Sequence, residues 1–467
     1  MNRINIGKKE IIHFVGIGGI GMSGLAQIMK TMGFNVQGSD LYKNKNTENC
    51  KKLGIKIILG HSRKNVSSAT IVVKSTAIKN NNVELNESKA KRLPIYERAE
   101  MLANIVALKK NIIITGSHGK TTTTSLIGKI LSEARLDPTI INGGVINSIK
   151  SNAKFGKGEW TVLEADESDG SFLKLPINYS VVTNLDNEHL DFYKNFNNLK
   201  NAFTKFINKT PPIGKAIICL DDLNLKNILK KIKTKNYLTY GFNKNADFQI
   251  FNTKYDSKYS KYDLKFKDHK SKKIIIKNIV LNLIGKHNIL NSTAAIIVCL
   301  NLGIQIKTIK KSLKIFSGVQ RRLTKIFETN GKEFYDDYAH HPTEILSVLK
   351  GLRQVYENRK IISIFQPHRY SRLKSLKREF ASSFSMSDLV LLCPIYAAGE
   401  KKDLSYNQDK LAKLISLNSK TQVVIIKNQI DVKKYLNKCL VGNEIVIGMG
   451  AGSISKWMRE IKSVLWL

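Results

Sequence analysis

The chain is short of cysteine, short of acid and without a long apolar run. Its five cysteines, Cys50, Cys219, Cys299, Cys393 and Cys439, are odd in number, scattered and never spaced as C-x-x-C. That spacing argues against a disulfide framework or a thiolate zinc site and points to a reducing, cytoplasmic setting. No apolar stretch reaches the ~18 residues that a membrane-crossing helix needs. The N-terminus starts basic, but its apolar stretch runs into a glycine turn with no small-residue cleavage site, so no signal peptide is expected. No internal repeat and no disordered tail stand out. Acid is the scarce charge: 37 Asp and Glu face 76 Lys and Arg, a net charge of +39. A balance this basic raises the question of nucleic acid. However, Lys, Ile and Asn are abundant throughout, as in proteins from AT-rich genomes. The densest basic-aromatic stretch, "KYDSKYSKYDLKFKDHKSKK" from Lys254 to Lys273, alternates as a strand with one solvated face does. The expectation is a solvated hairpin, with no nucleic-acid and no membrane partner.

What is present is three blocks of alternating strand and helix signals. At about 150 residues per domain, 467 residues suggest roughly three domains, here placed at 1–108, 109–319 and 320–467. The first opens as strand, glycine turn and helix in "IIHFVGIGGIGMSGLAQIMKTMG", with further strands in "FNVQGSD", "IKIILG" and "ATIVVKSTAI". The second opens with "NIIITGSHGKTTTTSLIGKILSEA" and continues through "WTVLEADESD", "YSVVTNLD" and "KAIICLDD". The third holds "KEFYDDYAHHPTEI", "KIISIFQPHRYSR", "LVLLCPIYAAGE", "TQVVIIK" and "EIVIGMGAGSI". Strands alternating with helical spacers give the α/β class with mostly parallel sheets.

Two glycine turns invite phosphate. Gly16, Gly18 and Gly21 form G-x-G-x-x-G between a strand and a helix. That spacing lets the backbone approach a pyrophosphate and sets it on a helix N-terminus. Asp40 ends the next strand, where a ribose-binding acid would lie. NAD, a nucleotide-linked substrate or a bare tight turn all fit these features. Gly116 to Thr121 reads G-S-H-G-K-T, with two residues between its glycines where the common phosphate loop has four. Backbone N–H groups near Gly119 can form an anion nest, Lys120 can reach terminal phosphates, and Thr121 can offer its hydroxyl to Mg2+. "EADESD" places Glu164, Asp166, Glu167 and Asp169 at a strand end; such carboxylates are hard ligands for Mg2+. His118, His189, His287, His340, His341 and His368 also sit in glycine-, acid- or arginine-rich motifs. Arg369 and Arg372 follow Pro367 and His368 after a strand, and guanidinium groups suit carboxylate or phosphate.

In order along the chain, "GIGGIGMSGLA", "GSHGKTTTT", "EADESD", "VTNLDNEHLD", "GKHNILNSTAA", "DDYAHHPTEI" and "QPHRYSR" resemble the Mur ligase family. The resemblance covers nearly the whole chain and is closest to the branch that works on UDP-N-acetylmuramate and L-alanine. It implies an N-terminal Rossmann-like domain for the UDP part of the substrate and a central P-loop ATPase-like domain for ATP and Mg2+. A C-terminal Rossmann-like domain would receive the amino acid. One glycine turn then faces a substrate pyrophosphate and the other faces ATP. The implied reaction is ligation: the muramoyl carboxylate is phosphorylated by ATP, and the amine of L-alanine attacks the acyl phosphate. Two Mg2+ ions are implied, with Mn2+ able to replace them, in a cytoplasmic monomer or homodimer of cell-wall synthesis.

By motif position, Thr121 and Glu164 match ligands of the first Mg2+, and His189 matches a ligand of the second. Gly116, Ser117, His118, Gly119, Lys120, Thr121, Thr122, His287, Asn288 and Asn291 match the ATP site. Gly18, Gly19, Ser39, Asp40, His61 and Ser75 match the UDP site. Tyr338, His340, Arg369 and Arg372 match the groups that close on carboxylate and amino acid. Lys120, His189, His340, Arg369 and Arg372 are the residues implied in catalysis. Three positions depart from the family's usual residues: Ser117 for threonine, Glu188 for aspartate, and "STAI" for a double serine. The nearest rival in the family joins the same sugar nucleotide to a recycled tripeptide, and "QPHRYSR" favours the alanine branch. A folylpolyglutamate synthase-like ligase would lack the N-terminal UDP domain. A basic nucleic-acid-binding protein would not need the acid and histidine set.

Overall fold

The computed structural model describes residues 9–234, 236–403 and 406–461. Its strands form three sheets of five, ten and six strands. The first contains Ile11–Val15 (β1), Asn35–Asp40 (β2), Lys56–Leu59 (β3), Ile71–Lys74 (β4) and Ile95–Glu97 (β5) in the order β3-β2-β1-β4-β5. All four pairings are parallel. The chain reverses direction across the sheet beside β1, so the glycine turn after Val15 lies at the switch point where such sheets bind ligands.

The second sheet contains Lys110–Thr115 (β6), Thr139–Ile146 (β7), Ser151–Lys154 (β8), Trp160–Glu164 (β9) and Tyr179–Val182 (β10). It continues with Lys215–Cys219 (β11), Tyr237–Gly241 (β12), Phe248–Tyr255 (β13), Ser260–Lys267 (β14) and Lys273–Leu281 (β15). The order is β15-β14-β13-β12-β11-β10-β6-β9-β7-β8. Ile112, Ile113 and Ile114 are fully buried, as a strand covered on both faces requires. The sheet is mostly parallel, as expected, while β7 pairs antiparallel with β8. The basic stretch folds as expected: Ser260, Tyr262 and Leu264 point inward on β14 while the residues between them are partly exposed. Asp268 organises the lysine-rich turn by accepting from the Lys270 and Lys272 N–H groups, each at 2.9 Å.

The third sheet contains Thr324–Thr329 (β16), Lys332–Asp337 (β17), Ile361–Phe365 (β18), Leu389–Leu392 (β19), Gln422–Ile425 (β20) and Ile445–Met449 (β21), in the order β16-β17-β21-β18-β19-β20. Only the β16–β17 edge is antiparallel among its pairings. Alternate residues feed opposite cores, the period-2 rule of a strand. Ile361, Phe365, Val390 and Ile447 join Leu349, Leu352, Phe380 and Phe384 on one side. Ile362, Ile364, Leu391 and Val446 join Val432, Leu436, Ile454 and Met458 on the other.

These elements make two compact units. One comprises residues up to Asn252, with 262–279 and 290–317; the other comprises 253–261, 280–289 and residues from Gly318 onward. Within the first, the helix Ile20–Thr31 lies against β7 and β8. Gly24 permits the approach: a Cβ there would stand 3.4 Å from that of Ala153.

Leu349 lies fully buried on the helix Pro342–Val355. Leu349→Ala is expected to cost about 2–5 kcal/mol, read as a lower urea midpoint for the transition of the unit holding the third sheet.

Candidate functional site

The turn after β1 is held from both sides. Gly16 has φ +82°, a conformation L side chains rarely adopt. The Gly16 and Ile17 N–H groups donate to the Ser39 carbonyl at 2.9 and 3.0 Å. The Gly18 N–H donates to Asp40 Oδ2 at 2.7 Å, and Asn46 Nδ2 donates to the Gly18 carbonyl at 2.9 Å. A Cβ on Gly18 would stand 2.8 Å from Asp40 Oδ2, so any larger residue would push the Asp40 carboxylate out of its bond to the Gly18 N–H. Gly19 caps the helix Ile20–Thr31. Ser75 closes the other side, its Cβ 3.3 Å from where one on Gly16 would be.

Beneath this turn lies a polar knot whose centre, Glu84, has no local sequence signal. Glu84 is fully buried on the helix Val83–Ala90. Its Oε2 accepts from Ser39 Oγ at 2.6 Å and lies 3.3 Å from both His13 Nε2 and His61 Nδ1. Its Oε1 accepts from Asn65 Nδ2. Burial by itself would raise the Glu84 pKa, but hydrogen bonds from His13, Ser39 and Asn65 bring it down to about 2. Ser39 therefore meets the glycine turn through its carbonyl, while its hydroxyl is turned inward to Glu84 and His61.

The second turn joins β6 to the helix Lys120–Glu133. Gly116 and Gly119 take φ +130° and +81°. A Cβ on Gly116 would strike Thr183 Oγ1, and one on Gly119 would strike Asn291 Oδ1. The residues after β10 grip the loop: His118 N–H donates to Asn184 Oδ1 at 2.7 Å, Thr183 Oγ1 to the His118 carbonyl at 2.6 Å, and Asp186 N–H to Ser117 Oγ at 2.8 Å. The Ser117 hydroxyl thus has a defined structural partner. His118 Nε2 lies 3.1 Å from Asp186 Oδ2 and 3.4 Å from Glu188 Oε1. Thr122 lies buried in the first turn of the helix.

The acid-tipped strands converge on Lys120. Its Nζ donates to the Gly116 carbonyl at 2.5 Å, the Ser117 carbonyl at 3.2 Å and Glu167 Oε1 at 2.9 Å. Burial would lower its pKa, but Glu167, Glu164 and Asp166 outweigh that and raise it. The reciprocal holds at Asp166, an exposed residue, where partial desolvation raises the pKa and Lys120 turns the balance downward. Thr121 Oγ1 donates to Glu164 Oε1 at 3.2 Å, and Gly143 N–H to Glu164 Oε2 at 2.7 Å. His189, at φ +57°, brings Nε2 to 3.6 Å from Glu167 Oε1 and 3.5 Å from Glu188 Oε2. Burial would lower the His189 pKa; Glu167 and Glu188 raise it.

The hydroxyl and carboxylates of this cluster suit a hard divalent cation, and the His189 imidazole stands beside them. One observation is specific. Glu167 is 2% exposed, and its Oε2 has no hydrogen-bond partner.

The other unit gathers the arginine and histidine motifs. Tyr338 N–H donates to the Arg321 carbonyl at 2.8 Å, and the Arg321 guanidinium lies 4.6 Å over the Tyr338 ring. His340 Nδ1 stands 3.0 Å from the Tyr338 carbonyl and 3.3 Å from Glu344 Oε2. The rings of His340 and His368 meet edge to face, with centroids 5.5 Å apart. Tyr396 stacks on His368, and Arg372 Nη1 lies 3.2 Å from His368 Nδ1. Burial first, then His340, Arg372 and Arg369, lowers the His368 pKa to about 4, which leaves Nδ1 free to accept from Arg372. Arg369 takes φ +67° and donates its N–H to the Tyr396 carbonyl at 2.9 Å. His287 is half-buried beside Gly285 and Gly351, and Asn288 Nδ2 donates to the Ile284 carbonyl at 2.8 Å.

Family models match all three parts of the chain. "Mur ligase family, catalytic domain" matches residues 11–110, "Mur ligase middle domain" 114–299, and "Mur ligase, glutamate ligase domain" 321–452. The chain is 57% identical over 463 residues to a UDP-N-acetylmuramate–L-alanine ligase of Pelagibacter ubique, covering 99% of this chain and 100% of that protein. It is 42% identical to the ligase of the same name from Agrobacterium fabrum, covering 97% of each chain. Among solved structures, it resembles a UDP-N-acetylmuramate–alanine ligase from Thermotoga maritima with a TM-score of 0.81 and 28% identity, over 97% of this chain and 98% of that one. A murein peptide ligase from Psychrobacter arcticus shares the fold at a TM-score of 0.70 and 22% identity, over 98% of each chain.

Because the folded pKa of Glu84 lies near 2, below its ordinary 4.5, its stabilisation is present above about pH 4.5 and lost as pH falls towards 2. Glu84→Gln is expected to flatten that acid limb in a series of thermal melts. An unchanged acid limb would remove Glu84 as its source.

Proposed function

The chain belongs to the Mur ligase family, and on that premise we propose that it joins L-alanine to UDP-N-acetylmuramate at the expense of ATP. The reading rests above all on the full-length likeness to the Pelagibacter ubique ligase. The cluster of Lys120, Thr121, Glu164, Glu167 and His189 agrees with it, because it combines a phosphate loop with hard metal donors. Residues 1–108 take the UDP part, 109–319 take ATP, and 320–467 take the amino acid. The enzyme acts in the cytoplasm, as a monomer or a homodimer, in peptidoglycan precursor synthesis.

In this reading the backbone of Gly18 and Gly19 receives the substrate pyrophosphate, with Asp40, Ser39, His61 and Ser75 shaping its surroundings. Gly116 to Thr122 cradle the ATP phosphates beside Asn291, and His287 and Asn288 belong to the same segment. Thr121, Glu164 and His189 hold Mg2+, two ions in all, and Mn2+ can replace them. Bound Mg2+ neutralises charge on the transferred phosphoryl group. A carboxylate alone is a poor acylating agent, so the muramoyl carboxylate is first converted to an acyl phosphate. Lys120 stabilises the negative charge that shifts during this transfer. Arg369 and Arg372, with Tyr338 and His340, orient the carboxylate and the incoming amine. His368 keeps Arg372 in place through its unprotonated Nδ1.

Phosphate release is the direct assay. With ATP, Mg2+ and UDP-N-acetylmuramate, L-alanine is expected to trigger release and the tripeptide L-alanyl-γ-D-glutamyl-meso-diaminopimelate is not. The opposite pattern moves the chain to the recycling branch, and silence in both removes the substrate reading. Lys120→Ala should lower turnover by about 10²–10³-fold while UDP-sugar binding persists. His189→Ala should shift the Mg2+ titration to higher concentration; an unmoved titration takes His189 out of the metal site.

A further inference from the structure

The surroundings of Lys120 carry a consequence for how nucleotide and metal meet. An ammonium has three N–H donors. In Lys120 they are directed at two carbonyls of its own loop and at Glu167 Oε1. All three acceptors belong to the protein, so Lys120 can take up a phosphate oxygen only by giving one of them up. The carbonyls of Gly116 and Ser117 are fixed: Ser117 N–H is bonded to the Asn184 carbonyl at 3.2 Å, and Gly116 is wedged against Thr183. Glu167 is the anionic partner, and it is the one a phosphate replaces in kind.

Glu167 cannot be left alone. It is buried, its Oε2 already has no partner, and a buried carboxylate without a counter-charge is costly. Its backbone does not move easily, because Tyr193 OH donates to the Glu167 carbonyl at 2.5 Å and Gly170 N–H donates to it at 3.2 Å. His189 Nε2 lies 3.6 Å from Oε1. We propose that Glu167 is a latch: it holds the Lys120 ammonium, and it exchanges that partner for Mg2+ shared with His189 when Lys120 turns to the nucleotide. This inference rests on the ATP-site reading above. The exchange makes nucleotide and Mg2+ binding mutually reinforcing, since each ligand favours the same released state.

The test is ADP binding by calorimetry in EDTA and in saturating Mg2+, for the wild type and Glu167→Gln. The amide grips Lys120 less and attracts a cation less. ADP is therefore expected to bind the variant several-fold tighter in EDTA, while the enhancement by Mg2+ shrinks by about tenfold. Wild-type constants in both buffers overturn the latch, and so does equal weakening in both. If Glu167→Gln does not fold, Glu167→Asp carries the test. Its shortened carboxylate no longer reaches Lys120, so tighter binding in EDTA is again expected, and an unchanged constant overturns the proposal. A wild type that binds no ADP with Mg2+ would instead overturn the ATP-site reading itself.

Discussion

An ammonium largely enclosed by protein must be paired, and the pairing of Lys120 with Glu167 organises the phosphate-loop cluster. The lysine sits under a loop whose carbonyls point at it, so its charge is enclosed by dipoles and one carboxylate. Glu164 and Asp166 add to the negative field, and that field keeps Lys120 charged despite its burial. Remove the acid and the lysine's burial becomes a liability; remove the lysine and several carboxylates repel one another. The loop, the acid-tipped strand β9 and the His189 turn therefore depend on one another for charge balance.

Parallel sheets explain why these groups meet. β6, β9 and β10 are neighbours in one sheet and point the same way. Everything that follows their carboxyl ends collects along a single edge. Gly116 to Lys120 follow β6, Glu164 to Glu167 end and follow β9, and Thr183 to His189 follow β10. The first sheet repeats the principle, with Gly16, Asp40 and Ser75 at the ends of β1, β2 and β4.

Features encoded within a few residues were legible in the sequence. Both glycine turns, the acidic strand ends and the basic hairpin depend on local spacing, and the structure has them where the motifs stand. Strand β8, "SNAK", was not legible, because its four residues carry no apolar alternation and its place comes from pairing with β7. Glu164 and Glu167 are three residues apart in one motif, yet one binds Thr121 and Gly143 while the other binds Lys120. Sequence cannot separate those roles, since the separation lies in which neighbouring element each side chain meets. The Glu84 knot was missed for the same reason. Its members come from β1, β2, the loop after β3, the short 3-10 helix Arg63–Val66 and the helix Val83–Ala90; motif position marked Ser39 and His61, but His13, Asn65 and Glu84 stand in no recognisable motif.

That knot carries a consequence for descent. His13, Ser39, His61, Asn65 and Glu84 share one carboxylate and lie in or beside the interior. An apolar replacement of His13 alone strands part of a buried charge, and loss of the charge alone strands four donors. Single steps away from this arrangement are therefore penalised in every direction, whereas a joint change to a wholly apolar set is not. The five positions should be inherited as a block: lineages keep all of them or replace them together, and chimaeras that cut between Ser39 and Glu84 from divergent relatives should fold poorly.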